Sequence, residues 1–298
     1  MMMKTKTSWI SCNVCGADAF KKLSTVEGWN IGKCTKCSQV YLNPMPFFEP
    51  SAEFSDMSMD FQYTRFQHSI TEETERILQH DKQQFSLQIE EMSKFSGRTV
   101  KPGNFLDIGC GSGGTVRVAQ DLGWNAVGID IDPQLVALGK EQLNVDLRAS
   151  SLLDSGFEAN QFHFIRLRDV IEHLPNPYEV LIEIKRLLVP GGFALIATPN
   201  EAALTTEIRL AAGFKRDKIA TVKPPHHVHG FSPKTLKQIL ERAGLQIYCI
   251  KTTTPVDSEY VTARNMEMAN SQLHVFVWRT ANLLGKGSML IGWVGKEA

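Results

Sequence analysis

From residue 104 onward the chain alternates short apolar runs with amphipathic stretches. The apolar runs, near 104–108, 126–130, 145–148, 162–167, 193–197, 245–251 and 288–295, have the length of strands. Between them, helical spacing of apolar positions falls near 114–122, 133–142, 177–188 and 233–243. Ser232 followed by Pro233 is a helix start, a capping hydroxyl ahead of a proline at the first helical position. Such alternation predicts an α/β fold with a mostly parallel sheet covered on both faces, whose ligands bind beyond the carboxyl ends of the strands. Residues 201–230 and 253–285 interrupt the alternation as insertions, and a cap over a ligand site is their expected use. Upstream, Ile70, Ile77, Leu78, Phe85, Ile89 and Met92 predict a long helix over about 62–95, and the prolines of Asn43–Pro50 end a separate N-terminal module.

The first predicted strand runs into a glycine loop, Asn104-Phe-Leu-Asp-Ile-Gly-Cys-Gly-Ser-Gly-Gly114, and the second closes on Asp130 in Val127-Gly-Ile-Asp. Glycines let a backbone approach a ligand closely, and an acid at the next strand's tip can accept both hydroxyls of a ribose. Gly109 and Asp130 are 21 positions apart, as one β-turn-α-β unit requires. Gly109, Gly111 and Gly114 also satisfy the dinucleotide pattern, so a nicotinamide oxidoreductase stays in consideration. Asp107 argues against it, because a carboxylate beside the loop repels a pyrophosphate and suits a cationic amino group.

Two further segments follow predicted strands or lead into them: Asp169-Val-Ile-Glu-His-Leu174, and Leu187-Leu-Val-Pro-Gly-Gly192 ahead of Phe193-Ala-Leu-Ile-Ala-Thr-Pro-Asn200. Together with the glycine loop and Asp130, they resemble the class I S-adenosylmethionine-dependent methyltransferases from about Asn104 to the C-terminus. The resemblance implies a Rossmann-like, seven-stranded, mostly parallel sheet with helices on both faces. The methyltransferase domain is expected at 101–298, behind a helical linker or cap at 46–100 and a small zinc ribbon at 8–45 that the cysteine spacing predicts. The resemblance also implies that Asp107, Gly109 and Gly111 cradle the amino-acid part of the cofactor and that Asp130, with Ile131 beside it, takes the ribose. Ser151 and Leu152 fall where the family contacts adenine, and Arg168 is a candidate for the cofactor carboxylate or an acidic substrate. A solvated arginine is the plain alternative.

Four of the six cysteines form Cys12-x-x-Cys15 and Cys34-x-x-Cys37, with 18 residues between the pairs. Each turn aims two thiolates at one point, the arrangement of a structural tetrahedral zinc site with a closed coordination shell. Two disulfides fit the count, but the N-terminus has no export signal. A redox pair belongs next to a βαβ unit, which is absent there.

Thirty-two basic and 32 acidic residues balance, so no global field selects nucleic acid or an anionic membrane. The absence of a signal peptide and of a spanning apolar run sets a soluble, cytoplasmic protein as the expectation. Residues 1–48 carry six lysines against two acids, a local excess suited to RNA, yet few aromatics are interleaved with them.

Methyl transfer from a sulfonium is an in-line displacement that rests on positioning. The candidate acid–base groups are Glu172 and His173 after the fourth strand and His227 and His229 in Pro225-His-His-Val-His-Gly-Phe-Ser-Pro233. With a helical turn at 169–173, Asp169 faces Glu172 and His173 and offers a second, divalent-metal site. That segment is similar to the acid-x-x-Glu-His of ubiquinone-pathway O-methyltransferases and of small-RNA 2′-O-methyltransferases, which add a later histidine. Metal binding, general acid–base catalysis and a structural role all remain open for these groups. A small-molecule acceptor methylated on oxygen or carbon, of a sugar, surface-polysaccharide or natural-product pathway, is the leading expectation. RNA and a quinone-type phenol are the alternatives.

Overall fold

The computed structural model of the chain describes residues 6–47, 72–213, 221–254 and 272–297. The N-terminal module is built on strands β2 (Phe20–Val26), β3 (Trp29–Cys34) and β4 (Val40–Leu42), paired antiparallel. Glu27 and Gly28, both at positive φ (49° and 86°), form the two-residue hairpin turn whose twist matches that of the flanking strands. A second close approach fixes Gly32, where an added Cβ would lie 2.2 Å from the Phe20 ring. Strand β11 (His229–Gly230), from far along the chain, extends this sheet by pairing with β4, and β1 (Lys6–Ser8) pairs separately with β5 (Met45–Phe47).

The main sheet contains β6 (Asn104–Ile108), β7 (Asn125–Asp130), β8 (Leu147–Ala149), β9 (Phe162–Arg168), β10 (Leu188–Pro199), β12 (Gln246–Thr253) and β13 (Met289–Gly295). Among the described residues it is a seven-stranded, mostly parallel sheet ordered β12-β13-β10-β9-β6-β7-β8. Strand β6 lies between β9 and β7, both parallel to it, and in that register Asp107 stands opposite Arg166 on one side and Gly128 on the other.

The helices are α1 (Glu72–Ser96), α2 (Gly114–Asp121), α3 (Pro133–Leu143), α4 (Pro177–Leu187), α5 (Leu204–Ala211), α6 (Pro233–Arg242) and α7 (Gln272–Leu283). Local chemistry explains their starts. Asp132 caps α3 by accepting from the amides of Gln134 and Leu135, with Pro133 at the first helical position. Ser232 and Thr235 form a reciprocal capping box on α6, which buries Leu236, Ile239 and Leu240.

Two features add to the sequence expectation, and a third is described only in part. Strand β10 begins at Leu188 rather than near 193, because the Gly191 amide donates to the Lys296 carbonyl and the Gly192 carbonyl accepts from the Lys296 amide. The regions read as insertions contain α5 and α7. The helix expected over 62–95 is α1 from residue 72 onward, and 62–71 lie outside the described residues.

The chain divides into two compact units that alternate along the sequence. One comprises Met1–Phe47, Asp169–Glu179 and Ile196–Gly292; the other comprises Phe48–Arg168, Val180–Leu195 and Trp293–Ala298. The second unit has an aromatic core in which Phe105 lies 5.1 Å from Phe85 and 5.0 Å from Phe164, centroid to centroid. Trp124 and Trp293 close the same cluster, and the aromatic after α2 is thus a core residue. Among the described residues no helix is long and apolar enough to cross a membrane.

Truncating a fully buried ring leaves a cavity, so Phe105→Ala is expected to lower unfolding free energy by about 3–5 kcal/mol. Phe276→Ala, at a side chain 69% exposed, should change it by less than about 0.5 kcal/mol. Urea denaturation followed by tryptophan fluorescence measures both, and equal midpoints for the two variants would show that the cluster is not the core.

Candidate functional site

In the second unit, the glycine loop after β6 is shaped by its own backbone. The amides of Gly109 and Cys110 both donate to the Ile129 carbonyl, at 2.8 and 3.0 Å. Gly111, at φ 55°, turns its amide onto Asp130 Oδ2 at 2.8 Å, while Asp130 Oδ1 accepts from the Asp132 amide at 2.9 Å. Burial pushes the Asp130 carboxyl up from its ordinary range, and these two amides pull it back. A carboxylate has about four lone-pair positions, so each oxygen keeps one that can accept from a ligand hydroxyl. Ile131, 46% exposed, places an apolar side chain directly after it.

Asp107 is buried at the end of β6. Its carboxylate is gripped by Arg166 Nη1, 2.9 Å from Oδ1 and 3.0 Å from Oδ2, and the same nitrogen lies 3.2 Å from Thr115 Oγ1. Burial raises the Asp107 carboxyl and Arg166 lowers it. The sequence reading passed over Arg166 and singled out Arg168. The available signal was a charged residue inside an apolar strand, but its relevance depends on the register that sets it opposite Asp107. Arg168 is half-buried and lines a small polar cleft with Arg166, Thr115 of α2 and Asp81, Gln84 and Gln88 of α1. Leu152 is buried, and the Ser151 hydroxyl is engaged locally, donating to Asp154 Oδ2 at 2.5 Å and accepting from the Asp154 amide at 3.3 Å.

The first unit holds the acid and imidazole groups. Glu172 is buried; its Oε2 accepts from Thr198 Oγ1 at 2.9 Å, and its main-chain carbonyl accepts from the amides of Val228 (2.8 Å) and His229 (3.0 Å). His173 Nδ1 donates to the His226 carbonyl at 3.1 Å, and His227 Nδ1 donates to the Thr221 carbonyl at 3.0 Å. Thr221 is itself tied to Glu201 Oε2 through its hydroxyl (2.7 Å) and amide (3.1 Å). A carbonyl oxygen only accepts, so the proton of each neutral ring sits on Nδ1 and the lone pair on Nε2. The two rings meet edge to face at 4.5 Å, and ligand atoms of Glu172, His173 and His227 lie within 4.8 Å of one another.

Electrostatics matches this arrangement. Burial and the neighbouring His227 push His173 down to about 4, and burial lowers His227 as well. Burial, followed by the charge of Asp169, pushes the Glu172 carboxyl up to about 8. Two neutral imidazoles and one buried carboxyl are the donor set of a borderline divalent cation.

Two sequence expectations change here. The ligand atoms gathered within 4.8 Å include those of Glu172 and His173 but not of Asp169, whose backbone is left-handed at φ 54° and whose charge acts on Glu172 from beside the group. His227 takes that third place. His229 stands apart from the group: it is buried in β11, paired with Tyr41 of β4, with the two rings stacked at 6.3 Å. Burial holds His229 neutral, down to about 4.

The four cysteines converge in the same unit. Cys12 and Cys37 sulfurs are 3.5 Å apart and those of Cys15 and Cys34 are 3.6 Å apart, beyond any disulfide bond. All four lie within 4.8 Å of one another, and all but Cys15 are buried. The Cys12 contact and burial push the Cys37 thiol up, and the Gln39 amide donates to its sulfur at 3.5 Å. Four thiols crowded to this degree fit a cation that would hold them as thiolates.

A parallel sheet with a glycine loop and a ribose-type acid at adjacent strand ends defines a nucleoside-cofactor fold. Residues 44–250 match the methyltransferase domain family, and the chain belongs to that family. It is 30% identical over 151 residues to a ubiquinone biosynthesis O-methyltransferase of Xanthomonas axonopodis pv. citri, covering 48% of this chain and 62% of that protein. The corresponding protein of Xanthomonas campestris pv. campestris (strain B100) is 28% identical over 162 residues, covering 51% and 66%. The chain thus spans less than two thirds of the length of these curated relatives. The crystal structure of a proposed sarcosine dimethylglycine methyltransferase from Galdieria sulphuraria shares the fold, with a TM-score of 0.53 at 19% identity, over 81% of this chain and 99% of that one.

Removing one partner of a buried ion pair strands the other, so Arg166→Ala should cost about 3–5 kcal/mol of stability. A double-mutant cycle with Asp107→Ala, read by urea denaturation, should recover part of that cost. Strictly additive losses would mean that the pair is not coupled.

Proposed function

We propose that the protein transfers the methyl group of S-adenosylmethionine to a hydroxyl oxygen of a small-molecule acceptor, and that Glu172, His173 and His227 hold a divalent cation on the acceptor side. The observation that carries this reading is the gathering of ligand atoms of Glu172, His173 and His227 within 4.8 Å of one another, with the Nδ1 protons of both rings committed to backbone carbonyls. Backbone partners of this kind fix the tautomer and ring orientation of metal-ligating histidines. A ring held neutral down to about 4 is a poor general base near neutral pH and a ready ligand, which favours cation binding over proton abstraction by His173. Bound there, a divalent cation would lower the pKa of an acceptor hydroxyl and orient it.

The chain's own residues supply the rest. Asp130 receives the ribose, the loop at Gly109 and Gly111 accommodates the amino-acid part, and Asp107 with Arg166 sets the polarity beneath it. Ile131 and Leu152 offer apolar surface to the adenine, with Ser151 and Arg168 at the polar margins. Chemistry at the acceptor is a displacement in which the oxygen–carbon bond forms as the sulfur–carbon bond breaks, so positioning dominates. The names of the curated relatives favour an oxygen acceptor. A catechol-type quinone precursor and a sugar diol share the vicinal oxygens that a cation chelates, and they are the acceptor chemistries we assign. Zinc at Cys12, Cys15, Cys34 and Cys37 completes the reading, with a ribbon at 8–45, a cap at 46–100 and the methyltransferase domain at 101–298.

Isothermal titration with S-adenosylhomocysteine tests the donor half: binding should weaken at least about tenfold in Asp130→Ala, the loss of about 1.4 kcal/mol of hydroxyl recognition. Tight NAD binding with no response to S-adenosylhomocysteine would overturn it. For the acceptor half, Glu172→Gln keeps a hydrogen-bond partner for Thr198 and removes the charge. Turnover on a panel of catechols, sugar diols and an oligoribonucleotide should fall by about 100-fold or more, within the range for loss of transition-state electrostatics. S-adenosylhomocysteine affinity should stay within about twofold of wild type, as expected when uniform binding is untouched. Wild-type turnover in the Gln variant would reduce Glu172 to a structural role. Metal analysis should find about one zinc per chain, falling in Cys37→Ser.

A further inference from the structure

The four-cysteine module is wired to the Glu172, His173 and His227 group at two places. Within the first thiol turn, between Cys12 and Cys15, Asn13 Nδ2 donates to the Pro175 carbonyl at 2.9 Å, two residues beyond His173. Asn13 is held in turn: its carbonyl accepts from Arg242 Nη1 at 2.8 Å, and that guanidinium stacks 4.0 Å over the Tyr178 ring. The second thiol turn leads directly into β4, because the Cys34 amide donates to the Gln39 carbonyl and β4 starts at Val40. Strand β4 pairs with β11, and the Leu42 amide donates to the Val228 carbonyl at 3.0 Å. Val228 follows His227, and its amide is one of the two that grip the Glu172 carbonyl.

Each loop that carries a member of the group is therefore pinned to one thiol turn. We infer that the four-cysteine module is a positioning element for Glu172, His173 and His227: metal at the thiols holds segments 170–175 and 226–230 in the geometry the group requires. Asn13 is the positioning residue of the first link. This inference rests on the reading of that group as the acceptor-side site. It assigns the ribbon to the site itself rather than to a separate nucleic-acid partner, and the tucked edge of β4, closed by β11, accords with that use.

Hydrogen-exchange mass spectrometry on the full chain tests it without relying on turnover. Asn13→Asp removes the donor and leaves all four cysteines. It should keep about one zinc per chain while exchange over 170–175 rises about fivefold, the weight of one hydrogen bond. Asn13→Gln, which retains an amide donor, should restore slow exchange. In Cys34→Ser, zinc should fall and exchange over both 170–175 and 226–230 should rise by about tenfold or more, as a locally opened unit requires, while 104–116 stays protected. On the preferred acceptor, Asn13→Asp should lower kcat by about fivefold with an unchanged KM for the cofactor, as for a loss of positioning alone. Wild-type exchange over 170–175 in Asn13→Asp, or over 226–230 in zinc-depleted Cys34→Ser, would overturn the inference. Should the wild-type protein methylate no acceptor, the functional reading fails while the exchange data still decide this one.

Discussion

A carboxyl group withdrawn from water must be compensated, and Glu172 is the place where this chain meets that constraint. Its burial costs several kcal/mol if the group ionises alone, which is why its proton is held to about 8 in the absence of a cation. Thr198 and the Glu172 amide itself offset part of that cost. What cannot be offset locally is met by the surroundings: the same residue's carbonyl gathers Val228 and His229, and this brings the histidine loop up to the acid. Both neighbouring rings commit their Nδ1 protons to backbone carbonyls, which leaves each with a lone pair on Nε2. We read a site of this composition as a ligand set for the cation proposed above.

The donor side obeys a different economy. Asp130 is shared between the glycine loop and the start of α3, so the acid we assign to a ribose also fixes the loop we assign to the rest of the cofactor. Asp107 and Arg166 are both buried, and their pairing in register across β6 and β9 explains why a strand core tolerates two charges. Such a pair adds little net stability compared with apolar residues, which fits the polar role proposed for it in the donor site.

How much of this was legible in the sequence depended on the range of the interaction. Strand β6 and helices α2, α3 and α6 fall within a residue or so of their expected bounds, because apolar runs, a capping aspartate, a capping box and loop glycines are local signals. The cysteine convergence was equally readable, since each turn aims its own thiols. The pairing of β11 with β4 was not, for it joins residues nearly two hundred positions apart through backbone hydrogen bonds that leave no side-chain pattern. Arg166 became meaningful only through register. The left-handed backbone at Asp169 carries no signal in helical spacing, and His227 and His229, two residues apart, face different surroundings for a reason that only the β11 pairing supplies.

The most direct test of the central claim reads the ligands of the cation themselves. Electron spin-echo spectroscopy of the protein loaded with Mn²⁺ should show modulation from imidazole nitrogen, reduced in His227→Gln and in His173→Gln, as two Nε2 ligands require. A bound Mn²⁺ with oxygen ligands alone, or no bound Mn²⁺ at all, would contradict the assignment of Glu172, His173 and His227 as a metal site.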